Sequence, residues 1–199
     1  METIIIGHYE CMVENLDVDK FRNGDIIHES TSKEDWIKAG KGCKPAWCYY
    51  DNDSENGKKY GKLYNWYAVN DPRKLAPKDW HVPTYGEYIA LIKGVNKNSN
   101  TLKAVGQDDI SNNSSGFTAM LTGIRSEDAV FSSLGSRSAF WTSTENDNLS
   151  AYAMSLYFEE FDIKLPSEFK EYGFTVRCIK ESFSHKVSDL LFKNHRLGD

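Results

Sequence analysis

Phe140–Lys180 reads FWTSTENDNLSAYAMSLYFEEFDIKLPSEFKEYGFTVRCIK, and its pattern decides the fold. It divides into three strands separated by two polar connections. From Ala151 to Glu159 the chain alternates: Tyr152, Met154, Leu156 and Phe158 share one side of a strand, and Ala153, Ser155, Tyr157 and Glu159 the other. One face is therefore expected in the core and the other in solvent. From Gly173 to Lys180 the alternation repeats after a glycine break, with Phe174, Val176 and Cys178 opposed to Thr175, Arg177 and Ile179. This strand is expected to close the sheet. Between the strands, Glu145-Asn146-Asp147-Asn148 and Leu165-Pro166-Ser167-Glu168 carry turn formers whose side chains compete for backbone hydrogen bonds, so both read as exposed loops.

Upstream, Gly116 to Arg125 and Ala129 to Ser133 are strand candidates, and the Asn-, Ser- and Asp-rich run from Asn96 to Ser115 is expected to be loop. The clearest helix begins at Thr84, where Glu87 completes a capping box, Tyr88, Leu91, Ile92 and Val95 form an apolar stripe and Gly94 ends the run. Leu63, Trp66, Tyr67 and Asn70 also share helical spacing, stopped by Asp71-Pro72. Trp80-His81-Val82 reads as a short buried strand. Ser32 is placed to cap a helix that carries Trp36 and Ile37 inward and ends at Gly40. Pro45 to Tyr50 is aromatic and extended, and Asp51 to Gly57 reads as a polar loop. Thr3 to Ile6 and Glu10 to Glu14 form a hairpin turned at Gly7-His8. Residues 1–181 thus make one domain. Residues 182–199 form an appended tail in which Phe183, Val187, Leu190 and Leu191 line one side of a helix.

A chain of 199 residues can bury enough surface for a core without metal or disulfide. The net charge of -5 argues against nucleic acid or an anionic membrane surface as partner, since both demand Lys and Arg patches. Met1 to Gly7 lacks the basic region and long apolar run of a signal peptide, which leaves the compartment open. No segment approaches transmembrane length. Cys11, Cys43, Cys48 and Cys178 could form two bridges in any of three connectivities or remain thiols.

The segments IGHYECMVENLDVDKFRNGD, PAWCYYDNDSENGKKYGKLYNWYAVNDPRKLAPKDWHVPT, SGFTAMLTGIRS, FWTSTE and YGFTVRCIKE occur in an order that resembles the Fibrobacter succinogenes major paralogous domain, common in Bacteroidetes and Fibrobacter proteins. The resemblance runs from about Ile4 to Glu181. It implies an α+β, C-type-lectin-like fold: two main helices packed on twisted, mostly antiparallel sheets with long loops. It implies no established activity, and relatives are often secreted or held at the cell surface. Many relatives carry Cys-Pro-x-Gly-Trp where this chain has Ala76-Pro77-Lys78-Asp79-Trp80. The resemblance therefore implies that Cys178 lacks its usual bridge and is a free buried thiol.

Candidate sites are few. Asp51 to Gly57 imitates a calcium loop, but Asn56 stands where the turn glycine belongs and Lys62 where the bidentate acid belongs, so a solvated turn is expected. Glu145-Asn146-Asp147 is the better place for calcium of the lectin type, yet the Glu-Pro-Asn or Gln-Pro-Asp loop and the Trp-Asn-Asp triplet of sugar-binding lectins are missing, and no cofactor is expected. Cys43 and Cys48 have the separation of the catalytic pair in formylglycine-generating enzymes, whose pair lies near the C-terminal end instead. His8, His28, His81, His185 and His195 show no metal-ligand spacing, and His81 is expected to be a hydrogen-bonded core residue. What remains is a surface of Thr144, Glu145, Asn146, Asp147, Asn148, Ser155, Tyr157, Glu159 and Arg177, drawn from the Tyr, Ser and Asn palette of adaptable binding faces. The expectation is a non-catalytic module that binds a glycan or a protein. The alternatives are an oxidase-like enzyme of the formylglycine-generating type and a structural surface or fibre domain.

Overall fold

The computed structural model describes residues 2–181, so the expected helix beyond Ser182 lies outside the described residues. The chain opens with β1 (Thr3–Ile6) and β2 (Tyr9–Met12), a hairpin turned by Gly7 at φ 59°. Next come β3 (His28–Glu29), α1 (Lys33–Lys41), β4 (Ala46–Cys48), α2 (Ser54–Tyr60), β5 (Leu63–Tyr64) and α3 (Trp66–Val69). After α4 (Tyr85–Gly94) and a long irregular stretch follow β6 (Thr122–Arg125), β7 (Phe131–Leu134), β8 (Arg137–Glu145), β9 (Ser150–Tyr157), β10 (Ser167–Phe169) and β11 (Ile179–Glu181). The fold is α+β, with α1 and α4 the longest helices among the described residues.

Three sheets share the core. A five-stranded sheet runs β10-β9-β8-β6-β7, a second runs β1-β2-β11 and a third β3-β4-β5; pairing is antiparallel except at β3 with β4 and β6 with β8. Gly173 to Ile179 joins them. Gly173 bridges Arg125 of β6, Phe174 bridges Tyr64 of β5, Thr175 bridges Phe140 of β8, and Ile179 pairs with Cys11 of β2. Rather than one continuous edge strand, the segment is a seam, and every residue from Gly173 to Ile179 is buried. Gly173 is required by close approach, since a Cβ there would lie 3.1 Å from both Arg125 and the Trp36 ring.

The expectation of one open face on β9 fails for the same reason. Ala151 and Ala153 pack into a core cluster with Trp141, Trp66 and Phe174, while Met154 and Leu156 pack into another with Phe140, Phe117 and the α4 stripe. Small side chains on the side read as solvent-facing let the aromatic layer approach closely. Opposite β9, β8 keeps register from Arg137↔Tyr157 to Trp141↔Ala153 and regains it only at Glu145↔Ala151. The irregularity uses the Thr142 hydroxyl, which donates to the Tyr152 carbonyl at 2.7 Å and accepts from the Thr144 amide at 3.1 Å. Thr144 and the residues after it are thereby turned outward.

Both expected helix starts hold. Ser32 accepts from the Asp35 amide, and Thr84 and Glu87 form the reciprocal capping box, with Tyr88, Leu91 and Ile92 buried beneath α4. Gly40 lies inside α1 rather than beyond it, the cap falling at Gly42. Asp51 to Gly57 is not a loop throughout: Asp53 accepts from the Glu55 amide and starts α2. The helix expected from Leu63 is shorter, because Leu63 and Tyr64 pair with β4 and Asn65 caps α3. Leu165 to Glu168 is likewise not all loop, since Ser167 to Phe169 pair with β9. The strand expected from Gly116 begins only at Thr122, and Trp80-His81-Val82 contributes a single bridge from His81 to Ile179.

Candidate functional site

The β8–β9 loop is a built turn. The Thr144 hydroxyl accepts the Tyr85 amide at 2.9 Å, tying the loop to the start of α4. Asp147 accepts the Leu149 and Ser150 amides at 2.8 Å each, and the Leu149 amide is the main cause that holds its carboxyl below the ordinary value. Asn146 donates to Ser150 at 2.9 Å. Glu145 and the Asn148 carbonyl both take the ammonium of Lys170, which is 4% exposed and lies 5.0 Å above the Trp66 ring. Of the carboxylates that the sequence offers to calcium here, Glu145 thus meets an internal cation and Asp147 caps backbone amides.

With its polar neighbours so engaged, the loop pushes Leu149 outward to 65% exposure, beside Phe169 of β10 at 47%. They share a groove of about 360 Å³ with Ile37 and Lys41 of α1, Glu127 and Asp128 of the β6–β7 turn, and Glu171. Phe169 meets Tyr172 edge-on, with ring centroids 6.1 Å apart. Burial, and then the neighbouring Glu127 carboxylate, push the Tyr172 phenol up to about 12. Glu171 accepts from the Tyr67 hydroxyl at 3.3 Å. Among the described residues, none of Glu127, Asp128 and Glu171 forms an ion pair. The groove therefore combines an apolar patch with an acidic rim not neutralised from within.

The other expected site residues lie elsewhere. Ser155 is buried and takes a hydrogen bond from Arg137 at 3.1 Å. Tyr157 is half-buried, with the Arg137 guanidinium 5.5 Å and the Lys164 ammonium 4.8 Å from its ring. Glu159 is exposed, and its amide donates to Asp108 at 2.9 Å. It stands at the far end of β9 from Thr144–Asn148, about 26 Å away along a strand of that length. Arg177 is not on an outer face at all. It is 1% exposed, 4.5 Å from the Phe117 ring, and donates to the Met12 carbonyl at 3.1 Å and to Asn15 at 2.7 Å. Burial lowers its pKa to about 10. The nine residues thus fall into a loop at one end of β9, a pair at the other end and two buried struts.

Sequence reasoning missed the groove because its members come from four separated places. The one local signal is Leu149, a lone large apolar residue at the end of a run of Asn and Asp.

All four cysteines are free thiols, Cys43 exposed and the other three buried. Cys178 is thus the free buried thiol expected of it. Cys43 takes a left-handed φ of 50°, and Cys48 lies in the cluster with Trp36 and Tyr50. His81 donates from Nε2 to the Glu87 carboxylate at 2.8 Å, a hydrogen bond as expected, but its side chain is 44% exposed rather than part of the core. His28 similarly meets Asp35 at 2.6 Å. Among the described residues no cluster of three His, Cys, Asp or Glu side chains could hold a metal ion, and no helix is long and apolar enough to cross a membrane.

No curated protein and no solved structure matches the chain. The family model described as the Fibrobacter succinogenes major domain matches residues 4–180, nearly the whole chain, and includes every element from β2 to β10. The chain belongs to the Fibrobacter succinogenes major domain family.

Proposed function

We propose that this protein is a non-catalytic binding module of C-type-lectin-like architecture, whose ligand, a glycan or a protein, is met by the β8–β9 loop and the groove beside it. The observation that carries the reading is the exposure of Leu149 and Phe169 in one groove, beside a turn in which the Glu145, Asn146 and Asp147 side chains are tied down. Exposed apolar groups on a rigid frame bind at low ordering cost. Thr144, Glu145, Asn146, Asp147 and Asn148 form the loop that presents Leu149 to the groove. Tyr157 and Glu159 offer a separate contact at the other end of β9, and Ser155 and Arg177 act by holding the sheet in place.

Two-sided burial of the central strands around α1 and α4 supports the lectin-like reading, and the Lys170 ammonium inside the loop supports binding that needs no calcium. Neither Cys43 nor Cys48 lines the groove, so the oxidase-like alternative draws no support from it. The test is binding to a glycan array and to candidate protein ligands, with calcium and with a chelator, for the parent and for Leu149→Ser combined with Phe169→Ser. Binding that survives the chelator and is lost in the double variant, with circular dichroism unchanged, is expected. Undiminished binding by the double variant, or thiol-dependent oxidase activity in the parent, would overturn the proposal.

A further inference from the structure

The groove chemistry narrows the choice between glycan and protein. We infer that it takes a polypeptide segment presenting one bulky apolar side chain flanked by Lys or Arg; this rests on the binding reading above and deepens it.

The apolar patch is formed by Ile37, Leu149 and Phe169, side chains that offer neither hydrogen bonds for sugar hydroxyls nor, in the two aliphatic members, a flat ring for stacking. At about 360 Å³ the space suits a bulky side chain or two. Around it stand three carboxylates, Glu127, Asp128 and Glu171, against one cation, Lys41. The carboxylates have no ion-pair partner among the described residues. An occupant that brings cations to this rim gains their attraction and separates no existing pair, and complementary charge of this kind selects partners and speeds encounter. A second copy of the chain is a poor occupant, because a two-fold contact would set the same acidic rim against itself in a chain already carrying a net charge of -5. A neutral glycan would donate hydroxyls to the rim carboxylates but leave their charge unmatched.

The probes are three blocked pentapeptides, Gly-Lys-Leu-Lys-Gly, Gly-Glu-Leu-Glu-Gly and Gly-Lys-Ser-Lys-Gly, titrated into the isotopically labelled full chain and followed by amide chemical shifts. The first is expected to give saturable shifts at Leu149, Phe169, Asp128 and Glu171, and the other two to bind at least about tenfold more weakly. Raising NaCl from about 0.05 to about 0.5 M should weaken the first severalfold, since the shorter Debye length screens the rim. Glu171→Gln combined with Asp128→Asn should bring its affinity towards that of the acidic peptide, with the spectrum otherwise folded. Equal binding of all three peptides, shifts at other amides, or concentration-dependent shifts of the groove amides without any peptide would each overturn the inference. If the peptides leave the groove silent while a glycan from the array shifts the same amides, this inference falls and the binding reading stands. If neither probe touches the groove, both fall.

Discussion

Cys43 is the only one of the four thiols that solvent reaches. Burial pushes Cys11, Cys48 and Cys178 each up to about 12, so at neutral pH none of these three offers appreciable thiolate to a reagent. The folded protein should therefore release one equivalent of thionitrobenzoate from Ellman's reagent and four in denaturant, and Cys43→Ser should abolish the native reaction. Two fast equivalents in the folded state would contradict the buried placement of Cys11, Cys48 or Cys178. A second residue-scale effect sits in the turn before Trp80. Asp79 takes φ 69°, in the left-handed region that favours glycine, and it does so in a turn clamped by Arg22 through the Ala76 carbonyl at 2.9 Å and the Trp80 carbonyl at 3.1 Å. A Cβ in this region costs about 1–2 kcal/mol of strain, against the roughly 0.5–1 kcal/mol of extra chain entropy that glycine loses on folding. Asp79→Gly should consequently raise stability by about 0.5–1 kcal/mol in urea unfolding. A measured loss would mean that the Asp79 side chain makes a contribution of its own.

Among the elements, α4 is legible in the sequence because its signals are local: a hydroxyl, a carboxylate three residues on and an apolar stripe all lie within a few turns. The hairpin of β1 and β2 is legible for the same reason. The burial of β9 and of the seam is not, because an alternation of large with small residues looks like core against solvent until a second layer is known to lie behind it. Arg177 shows how far this goes: a guanidinium is read as exposed by default, yet aromatic faces and backbone carbonyls can bury it. The loop from Asn96 to Ser115 is a third case, since nothing in its polar composition announces a buried ion pair. Lys103 and Asp108 pair with side chains wholly buried, and Lys103 also donates to the Tyr157 carbonyl at 3.1 Å, fastening the loop to the end of β9. Burial opposes ionisation of Asp108, but Lys103, Ser111 and the Glu159 amide overcome it and hold the carboxyl at about 2. A depressed carboxyl of this kind stabilises the fold above its unfolded value near ~4 and loses that contribution as pH falls towards 2. Stability should decline between about pH 5 and pH 2, with the decline shallower in Asp108→Asn. Asp108→Ala, which strands the Lys103 charge, should cost about 3–5 kcal/mol at neutral pH. An acid limb unchanged in Asp108→Asn would assign the decline to other carboxylates.

At the scale of the whole molecule, the seam makes the sheets one cooperative body. Its bridges to Arg125, Tyr64 and Phe140 and its pairing with Cys11 mean that no sheet can open without releasing residues held by another. The groove lies at the edge of this frame, and the frame can be tested separately from binding. Phe174 is fully buried, with ring centroids 4.5 Å from Trp141 and 5.5 Å from Tyr172. Phe174→Ala removes the ring from the point where the seam crosses β5, and the lost burial plus the cavity should cost about 3–5 kcal/mol. Because the loss falls on a shared core, urea unfolding followed by tryptophan fluorescence and by far-ultraviolet circular dichroism should move together to a lower midpoint with the slope retained. Two separated transitions would show instead that the sheets unfold as independent units, and the seam would then be a crossing without mechanical consequence.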